Sequence, residues 1–212
     1  MADTTDTRTR YHHGDLKAAL IEATLGLLSQ KRIEDISVAD AARAAGVSSA
    51  APYRHFADRD DLLAHVAAEG FIRLNAATAE AFDAQPPGSI ESIIAGGCAY
   101  TAFGAAHPEL FHLMWGTTRD HAAYDIARES GATCYGTFQS RLVRTMEAQG
   151  LGHHSPEAFG APLWAMVHGF ASLLIGRASQ LGGLEPVRHL IAQGTRAYFA
   201  GVLRDPPGSP KA

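Results

Sequence analysis

Apolar residues recur along this chain at helical spacing, and the sustained alternation of apolar and polar positions that marks a half-buried strand is missing. The pattern predicts an all-α fold of about nine helices with short breaks. A first helix is expected from about Asp15 to Ser29. Leu16, Leu20, Ala23 and Leu27 share one side, and Ile21, Leu25 and Leu28 add a second stripe. Only a strip through Asp15, Glu22 and Ser29 is polar, and a helix so widely apolar is packed on several sides. Beyond "QKRIEDI", Ser37 and Asp40 make a capping-box-like start. Val38, Ala41, Ala42 and Ala45 then fall at i, i+3, i+4 and i+7, and Gly46 stands where a helix ends in left-handed backbone. Three residues separate it from a further helix capped by Ser48 or Ser49. A long helix is expected from Asp58 to the break at "AQPPGS" (84–89), followed by helices over about 90–106, after Pro108, and over about 120–149. Beyond "GLGHHSP" (150–156), two apolar helices are expected over about 157–181 and 185–204.

Two short helices joined by a three-residue turn containing Gly describe a helix-turn-helix. Ala42, four residues before the glycine, is small enough for the helices to cross closely. In such a unit the second helix enters the major groove with its first turn on the base edges. Small Ser48, Ser49, Ala50 and Ala51 permit close approach, and hydroxyls hydrogen-bond bases or phosphates. Tyr53, Arg54 and His55 at the far end reach the phosphate backbone. An ordinary helical hairpin with an incidental Gly-Val-Ser turn is the alternative on spacing alone.

Charge adds modest support. The formal charge is −4 over 212 residues. Residues 1–59 hold eight basic and eight acidic side chains, and the whole negative balance lies beyond them. Without Asp3 and Asp6, residues 8–59 carry +2, with His12, His13 and His55 nearby, a weak pointer to an anionic partner. Apolar content of 46% with 19% charged residues is globular rather than disordered. Cys98 and Cys134 lack metal-ligand spacing and read as reduced thiols of a cytoplasmic protein. The N-terminus has no apolar run of a signal peptide. The apolar run 163–176, interrupted by His168, is short of a membrane span and is expected to be a buried helix, so no membrane partner is expected.

The run "ISVADAARAAGVSSAAPYRHFADRDDLL" resembles the DNA-binding domain of the TetR family of transcriptional regulators, over residues 15–63. The Gly-Val-Ser turn, the cluster Tyr53, His55 and Phe56, and the following Arg59, Asp60 and Leu62 carry the likeness, and "YHHGDL" (11–16) recurs at the start of one branch. The resemblance implies that Ser48, Ser49 and Ala50 face bases and that Tyr53 and His55 touch phosphates. It also implies that Phe56 locks the recognition helix to the core and that Arg59, where lysine is usual, adds a phosphate contact. Ser37 and Arg54 complete the expected DNA face. Pro52 departs from the family's apolar residue. Its ring can fill the inward slot, but it lacks an N–H, so strain or local 3₁₀ geometry is expected. Arg8 and Arg10 of the N-terminal arm either enter a minor groove or stay solvated, and Tyr11 is expected to pack.

The implied organisation is a DNA-binding domain over 11–60 and a helical ligand-binding and dimerisation domain over 61–205. In the later helices Ala165, Gly169, Ser172, Gly176 and Ser179 form a stripe of small residues. Val187, Leu190, Ile191, Gly194, Ala197, Tyr198 and Gly201 form a second face. Both are candidates for pairing with a second copy, as family members do through their last helices, or for packing within one subunit. Tyr100, Phe103, Phe111, Met114, Trp115, Tyr135, Phe138 and Trp164, with polar His112 and His168, offer walls for a small apolar or amphipathic ligand. Ordinary core packing is the alternative for each. "WAMVHG" (164–169) resembles a Trp-x-x-x-His-Gly feature of one TetR branch. The adjacent pairs His12-His13 and His153-His154 and the scattered His107, His112 and His121 lack metal-site spacing. No cofactor is expected. The implied function is a ligand-responsive homodimeric regulator of double-stranded operator DNA, most often a repressor in this family. An all-α enzyme lacks a nucleophile–base set, and a nonspecific DNA coat sits poorly with the net charge.

Overall fold

The computed structural model describes residues 16–116, 125–176 and 181–204. These residues hold eight α-helices and two 3₁₀ turns, and no strand. The fold is all-α: a small N-terminal helix-turn-helix unit joined to a larger helical domain. Asp15, the N-terminal arm with Arg8, Arg10, Tyr11, His12 and His13, and also His121 and Ser179, lie outside the described residues.

Helix α1 (Leu16–Leu28) buries Leu20, Thr24 and Leu28, while Leu16, Ile21, Leu25 and Leu27 pack half-buried around them. Thr24 fits this apolar setting because its hydroxyl donates to the Leu20 carbonyl at 2.8 Å. A 3₁₀ turn (Ile33–Asp35) leads to α2 (Val38–Ala44). The capping box is present: the Ser37 hydroxyl accepts from the Asp40 N–H, and the Ser37 N–H donates to the Asp40 carboxylate, each at 3.1 Å. Val38, Ala41, Ala42 and Ala45 form the buried face. Gly46, with φ of +71°, makes the reversal that a Cβ would strain.

The helix expected after this turn is reduced. Residues 47–51 run as turns, and only Pro52–Arg54 forms a 3₁₀ segment. The reason is Pro52. Without an N–H it cannot close the bond back to Ser48, and the chain adopts three-residue bonds instead, from Ala51 to Ser48 and from His55 to Pro52. The proline ring is buried in the core slot, beside Phe56.

Helix α3 (Arg59–Asp83) is the long element, capped by the Asp58 side chain. It buries Leu62, Leu63 and Val66 near the reading unit and Phe71, Leu74, Thr78 and Phe82 farther on. It packs on α6 (Asp125–Ala148), α4 (Ile90–Ala106) and α5 (Pro108–Trp115). One core runs from Leu20 and Phe56 through α3 to Phe111 and Val167, and a second gathers Phe82, Leu142, Phe159 and Phe199. The last two helices are α7 (Pro156–Ile175) and α8 (Leu184–Arg204).

Helix α7 departs from the expected buried helix. It is a single 20-residue element, long and apolar enough by length and composition to cross a membrane, yet only 28% of its most apolar window is buried. Phe159, Leu163, Val167 and Ala171 pack inward on α4 and α6, and the opposite side stays open.

Candidate nucleic-acid face, ligand cavity and pairing surface

The turn after Gly46 leaves Ser48, Ser49, Ala50, Tyr53, Arg54 and His55 exposed. Tyr53 is 61% exposed, which is unusual for a large ring and leaves its hydroxyl free to meet a partner. Behind it, Phe56 is 2% exposed and anchors the segment. The Lys17 ammonium lies 5.7 Å from the Phe56 ring centroid and 2.7 Å from His65 Nε2. His65 meets the Phe56 ring edge-on and bonds back to Asp61 through Nδ1. The scaffold under the exposed cluster is therefore fixed by α1 and α3 together. Lys17 and His65 escaped the sequence reading because they converge only through tertiary packing.

Two residues expected at the DNA face also make bonds within the unit. Arg59 is half-buried, and its guanidinium donates to the Ile36 carbonyl at 2.7 Å and to the Ile33 carbonyl at 2.5 Å. It ties the start of α3 to the α1–α2 connection. The Ser37 hydroxyl is engaged with Asp40 at 2.6 Å, and these Ser37 hydrogen bonds hold the Asp40 carboxyl below the usual carboxylate range. On the same connection the Ile33 N–H donates to Glu109 Oε2 of α5 at 3.1 Å. This bond joins the reading unit to the helical domain.

A cavity of about 600 Å³ opens among α3, α4, α6 and α7. Of the expected ligand residues, Tyr100, Trp115, Tyr135, Phe138 and Trp164 line it. His168 stands directly behind: its Nδ1 is 2.8 Å from the Tyr100 hydroxyl. The imidazole stacks on Trp164 and Phe111, with centroids 5.2 and 5.4 Å apart, and meets the Trp115 edge at 4.9 Å. Phe103 and His112 are not brought to this cavity. Phe103 sits toward the other end of α4, against His107 and a separate groove beside α1. His112 faces away on α5, exposed near Glu109, because Phe111 and Met114 take the inward positions. Phe71, Thr78 and Phe82 of α3 and Cys134 of α6 line the cavity unforeseen. The α3 trio falls at i, i+7 and i+11, a periodicity readable in the sequence but indistinguishable there from core. Burial pushes the Cys134 thiol up to about 11. Among the described residues, no three His, Cys, Asp or Glu side chains converge as metal ligands.

The expected pairing surface divides. Ala165 and Ser172 of α7, Gly176 at its C-terminal cap, and Leu190 and Ala197 of α8 are at least partly exposed, and a Cβ at Gly169 would meet open space. Leu173 and Leu190 are 49% and 40% exposed. Val187 and Ile191 are fully buried in the chain's own core. Gly194 and Tyr198 also serve within the subunit. A Cβ on Gly194 would lie 2.7 Å from Met166 Sδ, and Tyr198 packs edge-on against Phe159 at 4.8 Å. Helical spacing groups the inward and outward sides of α8 together, and only packing separates them.

Residues 20–66 match the bacterial regulatory proteins of the tetR family, and residues 93–198 match the tetracyclin repressor-like C-terminal domain. No curated protein matches the chain. Among solved structures, a protein of unknown function from Rhodococcus sp. RHA1 is 30% identical, with 91% of this chain and 98% of that one covered and a TM-score of 0.78. The TetR family transcriptional regulator PfmR from Thermus thermophilus shares the fold at 21% identity, with coverage of 87% and 97% and a TM-score of 0.55. A TetR family transcription regulator from Marinobacter aquaeolei VT8 does so at 20%, with coverage of 87% and 93% and a TM-score of 0.60.

Proposed function

The chain belongs to the TetR family of bacterial regulatory proteins, and from that premise we propose that it is a homodimeric repressor released from a palindromic operator by a small, mostly apolar ligand. It is a DNA-binding transcription regulator rather than an enzyme. The observation that carries the finer reading is the exposed cluster from Ser48 to His55, held over a buried Phe56. Ser48, Ser49 and Ala50 lie against base edges in the major groove, and Tyr53, Arg54 and His55 bind flanking phosphates. Ser37 and Arg59 set the edges of this face, their side chains holding the backbone that presents it.

Two copies pair through the open sides of α7 and α8, where Ala165, Gly169, Ser172, Gly176, Leu190 and Ala197 allow close approach. The reading unit over 11–60 and the larger unit over 61–205 then communicate through α3. That helix begins at the Asp58 cap beside the DNA face and ends with Phe71, Thr78 and Phe82 in the cavity wall. A ligand that binds better to the spacing unsuited to DNA draws the population there, since only differential affinity shifts such an equilibrium. The two reading segments then leave the separation of one DNA turn, about 34–36 Å.

Selection of bound sequences from a random duplex pool at fixed, stated salt tests this reading. An inverted repeat with half-sites about one helical turn apart is expected. Weak, salt-sensitive binding with no recovered motif overturns it.

A further inference from the structure

Resting on the reading that the segment from Ser48 to His55 meets DNA, we propose that Lys17 and His65 are positioning residues for that contact. They latch α1 to α3 across Phe56, and the latch closes only while the imidazole is neutral.

The grip is built at the end of the reading segment. Phe56 follows His55 directly and is buried, and two side chains hold its ring. His65 of α3 meets it edge-on with centroids 5.3 Å apart, and Lys17 Nζ of α1 lies 5.7 Å from the Phe56 centroid. The next residue is held as well, since the Ala57 N–H donates to Asp61 Oδ2 at 2.8 Å. Asp61 and His65 stand one turn apart on α3. His65 Nδ1 lies 2.9 Å from the Asp61 carbonyl oxygen and 3.2 Å from Asp61 Oδ1. Across the ring, Nε2 lies 2.7 Å from Lys17 Nζ. Among the described residues, Lys17 from α1 and Asp61 from α3 are therefore the charged groups on the imidazole, and the reading segment adds the uncharged Phe56 ring. Glu69, one turn farther along α3, is taken up by Arg73.

These contacts fix where the proton sits. An ammonium donates hydrogen bonds and accepts none, so Nε2 is the acceptor. A neutral imidazole has one donor and one acceptor, which places its proton on Nδ1, facing Asp61. Protonating Nε2 sets two donors and two like charges against each other at the same short distance. Asp61 still holds the imidazolium, so Lys17 is the group that leaves, and its contact with the Phe56 ring goes with it. Histidine is the side chain whose ordinary charge change falls between about pH 5 and 8, and acidification through that range is what opens the latch. The exposed His55 acts in the opposite sense, because a charge gained there attracts phosphate.

The test is the affinity of the full-length chain for the duplex recovered from the random pool, by fluorescence anisotropy at fixed salt, at about pH 7.5 and about pH 5.5. On acidification the wild-type chain is expected to lose about threefold to tenfold more affinity than His65→Gln, whose amide oxygen still accepts from Lys17 but does not titrate. Lys17→Met is expected to match His65→Gln in its pH response, since no cation is left for the imidazolium to repel. At the higher pH, His65→Gln should bind within about twofold of wild type, whereas His65→Leu, which leaves Lys17 without an acceptor, should already be weaker by about threefold to tenfold. A wild-type pH response equal to that of either His65→Gln or Lys17→Met overturns the proposal. So does a His65→Leu variant that binds as wild type does. If the variants do not fold, imidazole nitrogen NMR of the wild-type chain decides. A proton on Nδ1 with a bare Nε2 is expected at the higher pH, and a proton on Nε2 overturns the latch. Binding of no duplex at either pH removes the DNA reading along with this inference, whereas binding with the wrong pH response removes this inference alone.

Discussion

Tyr53 is the residue on which the DNA reading turns most directly. It is exposed, it stands one residue beyond a buried proline, and Phe56 rather than Tyr53 supports the fold. Tyr53→Ala is expected to lower affinity for every DNA sequence by about twofold to tenfold, because its proposed partner is a phosphate. Thermal stability should change by less than about 0.5 kcal/mol. Filter binding to specific and random duplexes checks this, and undiminished affinity for random DNA counts against the assignment. Ser37 makes a different prediction. Its hydrogen bonds lower the Asp40 pKa, so they stabilise the fold above the ordinary carboxylate value, and this contribution is lost as pH falls through the lowered one. Ser37→Ala should raise the Asp40 pKa toward its ordinary value, measured by carboxyl NMR titration. It should also cost about 1 kcal/mol at neutral pH through the lost cap.

At the scale of elements, close approaches between helices decide what the cavity can be. A Cβ at Gly96 of α4 would fall 2.1 Å from the Phe82 ring of α3, where both residues line the cavity. Gly96→Ala therefore forces the ring to move. The expected cost is about 1–3 kcal/mol by chemical denaturation, together with altered ligand affinity. Wild-type stability in that variant would mean that Phe82 has another rotamer available. Helix boundaries were readable from punctuation: Ser37, Gly46, Asp58, Ser89 and Ser155 all cap or end elements where the side-chain pattern places them. The shortened recognition segment was half-readable. Pro52 announces the missing hydrogen bond, but only the folded chain shows the 3₁₀ path that replaces it.

For the whole molecule, the proposed pairing of two copies uses the open sides of α7 and α8 with their small residues. Gly169→Leu combined with Gly176→Leu is expected to shift sedimentation from dimer toward monomer. At Gly169 a side chain meets nothing within its own subunit, so helical content should persist there. An unchanged sedimenting mass would place the interface elsewhere. A monomer produced in this way should also lose operator selectivity, since one reading unit spans a single half-site.

The sequence by itself determined the helical class, the order of the elements and the reading unit. Each follows from local physics: helical periodicity, capping side chains, a glycine at a left-handed turn and a proline that removes a donor. It also supplied the aromatic material of the cavity without its arrangement. Tertiary structure decided which aromatics share that cavity, sending Phe103 and His112 elsewhere and bringing in Phe71 and Phe82. It fastened Arg59 to the Ile33 and Ile36 carbonyls as a brace across the α1–α2 connection, and it divided the α8 face between core and surface. Helical spacing specifies which residues share a side of a helix. What that side meets depends on residues distant in sequence, and only the packed chain brings those together.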